Sequence, residues 1–423
     1  RALANGVPVF ILPRRPTSTF DVRLVLRAGE DLDPVGQEGL AAVAVDLADE
    51  GAGDLDAAGL AAAIRALGAE LTTATQGDVS TIRIRGLSRS LEPALALWAD
   101  VIRAPTMTEA DLAIVRQRRI DRVSLVIREP HGAADRVQAA LQWGDGYLGR
   151  SPTPVSLAAI DVAAVRSFWT AHVGAGVGAV IAGGDLDPDQ LVRVLDAELG
   201  AWAPVEPVEP VATPVPIDRE TLVFVPVPGA PQAAIRAVFP VGPATDPGRA
   251  ALAVAVEAVG GAFGSRINLN LREDKGWTYG ARCQTTYRAG PGWLDCGSLV
   301  RADVAGASVG EMRRELREAV GEAPIGPDEA TRFATSLQRA YAVDHETTGA
   351  LLAEVGAAWV RGLPLDRMRR YLRDLAAVTP SAPDRALRAW LDPDRITWVV
   401  AGDPATVRPQ LEALGIPIVD RDP

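Results

Sequence analysis

The chain has 423 residues, 48% of them hydrophobic and 23% charged, with a formal net charge of −11. This acidic balance, without a basic stripe, argues against nucleic acid as a ligand, because phosphate binding needs clustered Lys and Arg. No run of about 18 apolar residues predicts a membrane span, and the length allows roughly two to four domains. An acidic surface suits cationic peptide substrates, although solubility alone is the simpler explanation.

A series of predicted elements occurs twice, at an offset of roughly 210 to 220 residues. Each copy opens with two strands, continues with an Ala-rich helix after a Gly, passes an Ala-Pro step into an acidic helix start, and closes on an apolar strand. The first copy shows these at 9–12 and 22–26, 39–47, 104–111 and 177–185, and the second at 223–225 and 235–239, 248–259, 323–329 and 396–403. Four matches in one order indicate an internal duplication.

A proline-rich segment separates the two copies. It reads APVEPVEPVATPVP at 203–216, and its five prolines forbid helix and favour extended polyproline II. We therefore predict a domain at 1–202, a linker at 203–218 and a second domain at 219–423. Hairpin strands interleaved with amphipathic helices, such as those at 54–67 and 91–102, predict an α+β fold with helices packed on mostly antiparallel sheets.

The most informative stretch is GGAFGSRINLNLREDKGWTYGARC at 260–283. A Gly pair closes an apolar helical run, Ser265 is a candidate N-cap of a short helix, and Gly276 ends that helix before a strand-like alternation. Arg272 and Tyr279 lie on either side of the break. The glycines do not indicate a phosphate loop, because no Lys-Ser/Thr follows them and the preceding run is helical.

This stretch resembles the C-terminal half of the pitrilysin/insulinase-type zinc metallopeptidases (inverzincins). Those enzymes carry an SRL-x-x-x-LRE-x-x-G-x-x-YG run with an Arg/Tyr pair that holds the scissile peptide. The positions in register here are Ser265, Arg266, Leu271, Arg272, Glu273, Lys275, Gly276, Tyr279 and Gly280. The resemblance implies that Arg272 and Tyr279 are catalytic and substrate-binding residues, and that the chain is one half of a clamshell built from duplicated α+β domains. Outside this motif, the pair would be interpreted as structural.

Active members of that family carry an inverted zinc motif, His-x-x-Glu-His, on the helix after their opening strands, and a further Glu in a later helix. The corresponding positions here are Ala42, Val45 and Asp46, and the distal Glu falls near Arg122. Ala and Val ligate nothing, and Arg122 would repel a cation. The resemblance therefore implies a degenerate zinc site, with no metal held by this chain.

No other residues replace the missing ligands in the sequence. The three histidines are His131, His172 and His345, and no two of them have helical ligand spacing. Three carboxylates, Asp46, Asp49 and Glu50, fall on one side of the first Ala-rich helix. A solvated helix face explains them better than a cation site, because hard cations draw more oxygens from a loop.

An intact Arg/Tyr pair beside an erased zinc site matches family members that split the two halves over two subunits. The resemblance implies a heterodimer with a homologous zinc-binding subunit. Zinc-activated water of that partner would attack a peptide carbonyl, while Tyr279 and Arg272 donate hydrogen bonds to the developing oxyanion. The isolated chain is then expected to be inactive. The alternative is a non-catalytic scaffold or peptide-binding subunit, as family members in respiratory complexes have become, although a scaffold does not need the pair.

Cys283 and Cys296 are the only cysteines, and they flank a hairpin-like segment whose predicted turn is at 289–292. Folding about that turn brings them onto adjacent strands, where they could form either a disulfide or two buried free thiols. A disulfide would favour a periplasmic or otherwise extracytoplasmic location, with the cytoplasm as the alternative. The first residue is Arg1, so the chain is processed or trimmed, and a removed signal peptide fits this.

Overall fold

The computed structural model describes residues 1–14, 18–209, 212–287 and 291–423, and every structural statement below refers to these residues. The strands are β1 (Val9–Pro13), β2 (Thr19–Leu26), β3 (Gly51–Ala52), β4 (Leu55–Asp56), β5 (Glu70–Gln76), β6 (Val79–Leu87), β7 (Gly178–Gly184), β8 (Thr221–Pro226), β9 (Gln232–Pro243), β10 (Thr278–Tyr287), β11 (Pro291–Arg301), β12 (Thr397–Gly402) and β13 (Ile418–Asp420).

The helices alternate with these strands in groups. They are α1 (Leu40–Leu47), α2 (Ala57–Ala66), α3 (Leu91–Arg103), α4 (Glu109–Arg128), α5 (Pro130–Trp143), α6 (Pro154–Ala158), α7 (Val162–His172), α8 (Pro188–Leu199), α9 (Arg249–Val256), α10 (Arg266–Asn268), α11 (Ala305–Val320), α12 (Pro327–Asp344), α13 (Thr348–Val360), α14 (Arg367–Ala376), α15 (Ala382–Trp390) and α16 (Arg408–Glu412). Two π-helical segments, Glu257–Gly261 and Leu269–Asp274, continue α9 and α10. Short 3-10 turns lie at Glu30–Leu32, Ser88–Ser90, Ala175–Val177 and Ala302–Val304.

The chain divides into two compact units, each assembled from three segments. Unit 1 comprises 1–124, 151–210 and 344–367, and unit 2 comprises 125–150, 211–343 and 368–423. The break at 210 lies inside the predicted linker. The units differ from the predicted domains because 125–150, with α5, belongs to unit 2, and 344–367, with α13, belongs to unit 1.

Both units contain a sheet with the same strand order. In unit 1 the order is β1-β7-β2-β6-β5, and in unit 2 it is β8-β12-β9-β11-β10, with β13 added beside β8. The β1–β7, β8–β12 and β8–β13 pairs are parallel and the other pairs in these two sheets are antiparallel. The predicted duplicated α+β fold with mostly antiparallel sheets is confirmed.

Each sheet buries one face against its own large hydrophobic core and part of the other face under a single helix. In unit 1 that helix is α13, which packs on β7 and β2 and buries Leu352 against Val25 and Ile181. In unit 2 it is α5, which packs on β9 and β12 and buries Val137 among strand residues. The covering helix leaves the outer strands, β5 of unit 1 and β10 of unit 2, exposed on that face.

Two sequence expectations need correction or qualification. The helix predicted at 54–67 begins only at Ala57, because 55–56 pairs with β3 and the Asp56 side chain caps the helix by accepting from the Gly59 amide. The helical run 249–274 is long and apolar enough to cross a membrane by length and composition, but 56% of its most apolar window is buried, as in a core helix of a soluble protein. The predicted turn at 289–292 lies largely outside the described residues.

Candidate functional site

The segment that leads to Arg272 and Tyr279 is a repeatedly broken helix. α9 widens into the first π-helical segment, a short loop follows, and α10 continues into the second π-helical segment, which carries Arg272. Gly276 adopts φ 64°, a conformation that a residue with a Cβ rarely takes, and this reverses the chain into β10. The second π-helical segment therefore packs against the start of the strand that carries Tyr279.

Ser265 lies at the predicted N-cap position of α10, but its side chain makes no capping hydrogen bond. Its Oγ is buried without a partner among the described residues, and the residue is 0% exposed. The predicted position is therefore correct, whereas the capping interaction itself is not formed.

Arg272 is held at the surface by two neighbours of different chemistry. Its guanidinium carbon lies 4.4 Å from the ring centroid of Phe263, in cation–π geometry. Its Nε lies 3.4 Å from Oε1 of Glu273. The side chain stays 36% exposed, so its outward N–H groups can still donate to a ligand.

Tyr279 projects into solvent from an irregular start of β10. The pairing with β11 shifts register between Thr278 and Ala281, as in a β-bulge, and Tyr279 is 93% exposed. The Thr278 hydroxyl stabilises this shift, since it donates to the Leu299 carbonyl at 2.7 Å. Among the described residues, the Tyr279 hydroxyl has no hydrogen-bond partner in the structure, which leaves it free to bind a ligand.

Asn268 connects the two parts of the site and was missed at the sequence level. Its Nδ2 donates to the Phe263 carbonyl at 2.6 Å, and its Oδ1 accepts from the Ala281 amide at 3.0 Å. The residue is only 3% exposed. A polar residue inside an otherwise apolar helical pattern was the available signal, because buried amides are retained where both of their groups are paired.

The predicted hairpin carries a disulfide behind the site. Cys283 and Cys296 lie directly opposite each other in the β10–β11 register, and they are bonded and buried. The disulfide is thus the correct one of the two alternatives. Its sulfur packs against the first π-helical segment, where a Cβ on Gly260 would lie 2.2 Å from the Cys283 Sγ. Gly260 therefore permits the close approach of helix and strand.

A polar groove of about 580 Å³ lies on the open face of the β10–β11 hairpin, between that hairpin and α5, and it reaches Gly280 beside Tyr279. Its floor is the buried Arg236, which donates to the Asp135 carboxylate at 2.8 Å. Asp295 also lines the groove, and burial raises the pKa of its carboxyl. The groove therefore places several polar groups on the face of the unit 2 sheet that α5 partly covers.

The positions that correspond to the zinc motif lie on α1 in unit 1 and do not fit a metal. Ala42 is 2% exposed and Val45 is 0% exposed, so both side chains belong to the core. Asp46 accepts from Nε of Arg119 at 2.8 Å and forms an ion pair with it. Arg122, the predicted counterpart of the distal Glu, is exposed one turn further along α4. A guanidinium thus occupies the partner position of the remaining carboxylate.

The carboxylates that follow Asp46 are also unsuited to a cation. Glu50 pairs with Arg118 at 2.7 Å. Burial, and then the charges of Glu50 and Asp46, raise the pKa of Asp49 to about 7, so this carboxyl is half protonated near neutrality. No cluster of three or more His, Cys, Asp or Glu with metal-binding geometry occurs among the residues described. The donor set of this chain does not fit zinc.

Comparison with known proteins places both halves of the chain in related families. Residues 9–142 match the family described as Insulinase (Peptidase family M16), and residues 159–332 match the Peptidase M16 inactive domain. An uncharacterized zinc protease from Streptomyces coelicolor is 26% identical over an alignment of 346 residues, and the match covers 76% of this chain and 71% of that protein.

Solved structures share the fold. The peptidase M16 inactive domain from Pseudomonas fluorescens has a TM-score of 0.87 and 21% identity, and the match covers 95% of this chain and 97% of that one. The periplasmic protease PqqL from Escherichia coli has a TM-score of 0.76 and 14% identity, and the match covers 92% of this chain but 43% of PqqL. The same fold therefore occurs both in chains of about this length and within a chain about twice as long.

Proposed function

This chain belongs to the insulinase family of metallopeptidases, peptidase family M16, and from that premise we propose that it is the substrate-holding subunit of a two-chain peptidase. In this proposal a homologous second subunit binds the zinc. This chain contributes Arg272 and Tyr279 to the peptide being cut and is inactive alone.

The observation that carries the proposal is the contrast between the two candidate sites of the chain. The zinc-motif positions are filled by core side chains and an Asp46–Arg119 ion pair. Arg272 and Tyr279, in contrast, both keep polar groups exposed to solvent. Surface exposure of a guanidinium and a phenol without a structural partner for the phenol supports a role toward a ligand.

The chemistry assigned to the pair is hydrogen-bond donation. A guanidinium offers several N–H donors in one plane, and a phenol offers one O–H, so together they can bind a peptide carbonyl and the oxyanion that develops from it. Donors of this kind contribute about 3 kcal/mol of transition-state stabilisation, which is on the order of a hundredfold in rate. The groove beside Gly280 would receive neighbouring residues of the peptide.

The proposed location is outside the cytoplasm. A buried disulfide between Cys283 and Cys296 forms and persists in oxidising compartments. The similar fold of a periplasmic protease agrees with this placement. Two free thiols in natively sourced protein would argue for the cytoplasm instead.

The test begins with a homologue of similar size that carries His-x-x-Glu-His and is encoded beside this chain. We expect the two to co-purify and cleave peptides with one zinc per heterodimer, and the isolated chain to contain no stoichiometric zinc. Tyr279→Phe should preserve assembly and zinc content but lower turnover about a hundredfold, because it removes only the hydroxyl.

Tyr341→Phe serves as the matched control, since it removes a hydroxyl from α12, outside the segment 260–283 that carries Arg272 and Tyr279. Unchanged kinetics for Tyr279→Phe in an assembled, zinc-loaded complex would assign the chain to the scaffold class. One tightly held zinc in the isolated chain would contradict the division of labour between the subunits.

A further inference from the structure

We propose that Phe263 is a positioning residue for Arg272, and that Asn268 fixes the loop that carries it. The inference rests on the proposed role of Arg272 toward substrate and adds a residue outside the Arg/Tyr pair. Phe263 lies in the loop between the first π-helical segment and α10, and it is 66% exposed. A large exposed aromatic side chain in a Gly-flanked loop contributes little to the core of unit 2, which does not include it.

Stacking is suited to holding a guanidinium that must still bind a ligand. The Arg272 guanidinium carbon lies over the Phe263 ring, 4.4 Å from its centroid, a distance at which the ring supports the cation without accepting a conventional hydrogen bond from it. All N–H donors of a guanidinium point outward in its plane, and a contact that accepts no conventional hydrogen bond leaves them available. Glu273, at 3.4 Å from Nε, engages only one edge. Among the described residues no carboxylate or carbonyl meets the remaining edge, so this edge can bind a peptide carbonyl.

The loop needs an anchor for this stacking to fix a position. Asn268 provides it, because its Nδ2 donates to the Phe263 carbonyl while its Oδ1 accepts from the Ala281 amide. A carbonyl only accepts and an amide N–H only donates, so these two partners require an amide side chain in one orientation. Asn268 thus links the Phe263 loop to β10 next to Tyr279. One buried side chain therefore fixes the backbone next to Tyr279 and the loop whose ring contacts Arg272.

The first measurement uses the isolated chain and does not depend on activity. With arginine labelled by ¹⁵N and ¹³C, ring current from Phe263 should shift the Cδ protons of Arg272 upfield. Phe263→Leu should abolish that shift, and Phe263→Tyr should retain it. An unchanged Arg272 signal in Phe263→Leu would overturn the inference, whatever the function of the chain.

The second measurement uses the zinc-loaded heterodimer. Phe263→Leu should lower kcat/KM about two- to fivefold, the value of an exposed cation–π contact, and Phe263→Tyr should restore it. In an Arg272→Ala background, Phe263→Leu should have no further effect, because the group it positions is absent. Val343→Ala, which trims another exposed apolar side chain of unit 2, should leave the kinetics unchanged.

Asn268→Asp separates anchoring from folding. It keeps the acceptor for the Ala281 amide but places an acceptor against the Phe263 carbonyl, so the loop should be released and the Arg272 shift lost. Wild-type kinetics for Phe263→Leu, alongside a large loss for Arg272→Ala, would overturn the inference and leave the proposed function standing. Wild-type kinetics for Arg272→Ala would overturn both.

Discussion

Helix α1 of unit 1 and helix α9 of unit 2 occupy the same place in the duplicated fold, but they end differently. In unit 1, α1 is a regular eight-residue helix whose buried side chains join the core. In unit 2, the equivalent α9 runs on through two π-helical segments, a loop and Gly276 before it reaches β10. π-helical insertions are a known cause of kinks in helices. The comparison shows that one scaffold can keep a plain helix in one copy and a repeatedly broken helix in the other.

The charged side chains of the two regions also have different kinds of partner. Asp46 and Glu50 of unit 1 are each paired with an Arg of α4. Arg272 of unit 2 is stacked on a ring and has only its sequence neighbour as a carboxylate partner among the described residues. An ion pair neutralises both members, whereas a stacked guanidinium keeps its charge for another partner. The carboxylates of unit 1 are therefore paired with cations from another helix, whereas Arg272 of unit 2 remains partly exposed.

The largest expected effect lies in the close approach behind the segment that carries Arg272. Gly260→Ala would place a Cβ 2.2 Å from the Cys283 Sγ, so the π-helical segment or the disulfide must move. We expect the free energy of unfolding to fall by about 3 kcal/mol, as for an overpacked core. Gly264→Ala is the matched control, since nothing lies within 4 Å of its Cβ position. Equal stability of the two variants in urea unfolding would show that the close approach of the π-helical segment to the disulfide places no constraint on unit 2.

A smaller effect should appear at Asp49, beside the paired Asp46 and Glu50. Its folded carboxyl keeps a proton up to about pH 7, whereas the unfolded group ionises near its ordinary value of 3.8. The folded state binds more protons between those two pH values, so this group lowers stability progressively as the pH rises through the window. Asp49→Asn should therefore raise the free energy of unfolding at pH 8 by on the order of 1–2 kcal/mol and leave it unchanged at pH 3.

Exposed Asp54→Asn is the control for this prediction, measured by thermal melts across the same pH range. A hidden cation site would give the opposite sign. Ligation favours the ionised carboxylate, so zinc would then stabilise the wild-type protein more than the Asp49→Asn variant. That outcome would break the contrast between the two units.

The smallest effect concerns the ion pair itself. A double-mutant cycle on Asp46 and Arg119 should give a coupling of about 0.5–1 kcal/mol, since both side chains are largely sheltered. The Glu50–Arg118 pair, whose Arg is 66% exposed, should couple less. Arg122→Ala should change stability by less than about 0.5 kcal/mol, because that side chain is exposed. A dominant effect at Arg122 would contradict the pairing of Asp46 with Arg119.

Local patterns predicted most of the strands and the duplicated order. The alternating apolar residues at 22–26 and 235–239 identify β2 and β9, although both strands extend further because neighbouring strands continue to pair with them. The Ala-Pro steps and acidic starts likewise mark the gaps before α4 and α12. These features depend on hydrogen bonding and burial within a few residues, which a sequence displays directly.

Contacts between distant segments were not predictable in the same way. Spacing predicted Arg122 at the distal ligand position, and that correspondence stays a prediction. It did not predict that α4 presents Arg119 to Asp46, because the offset between two packed helices is set by their side-chain packing. The Phe263–Arg272 stacking depends on a loop shape that no periodicity encodes. For Asn268, only its polarity within an apolar pattern gave a signal.

Helix α5 belongs to unit 2 and helix α13 to unit 1, and this affects the order in which the two units can fold during synthesis. The sheet of unit 1 is complete at residue 184, yet the helix that covers its second face is 348–360. During synthesis, Val25 and Ile181 stay exposed until more than a hundred further residues have emerged. In this state the nascent chain exposes an apolar sheet face, to which chaperones, a secretion machinery or a partner could bind, for many seconds. Unit 1 is thus the first part to be started, but it is completed only at residue 367, after most of unit 2 has been made.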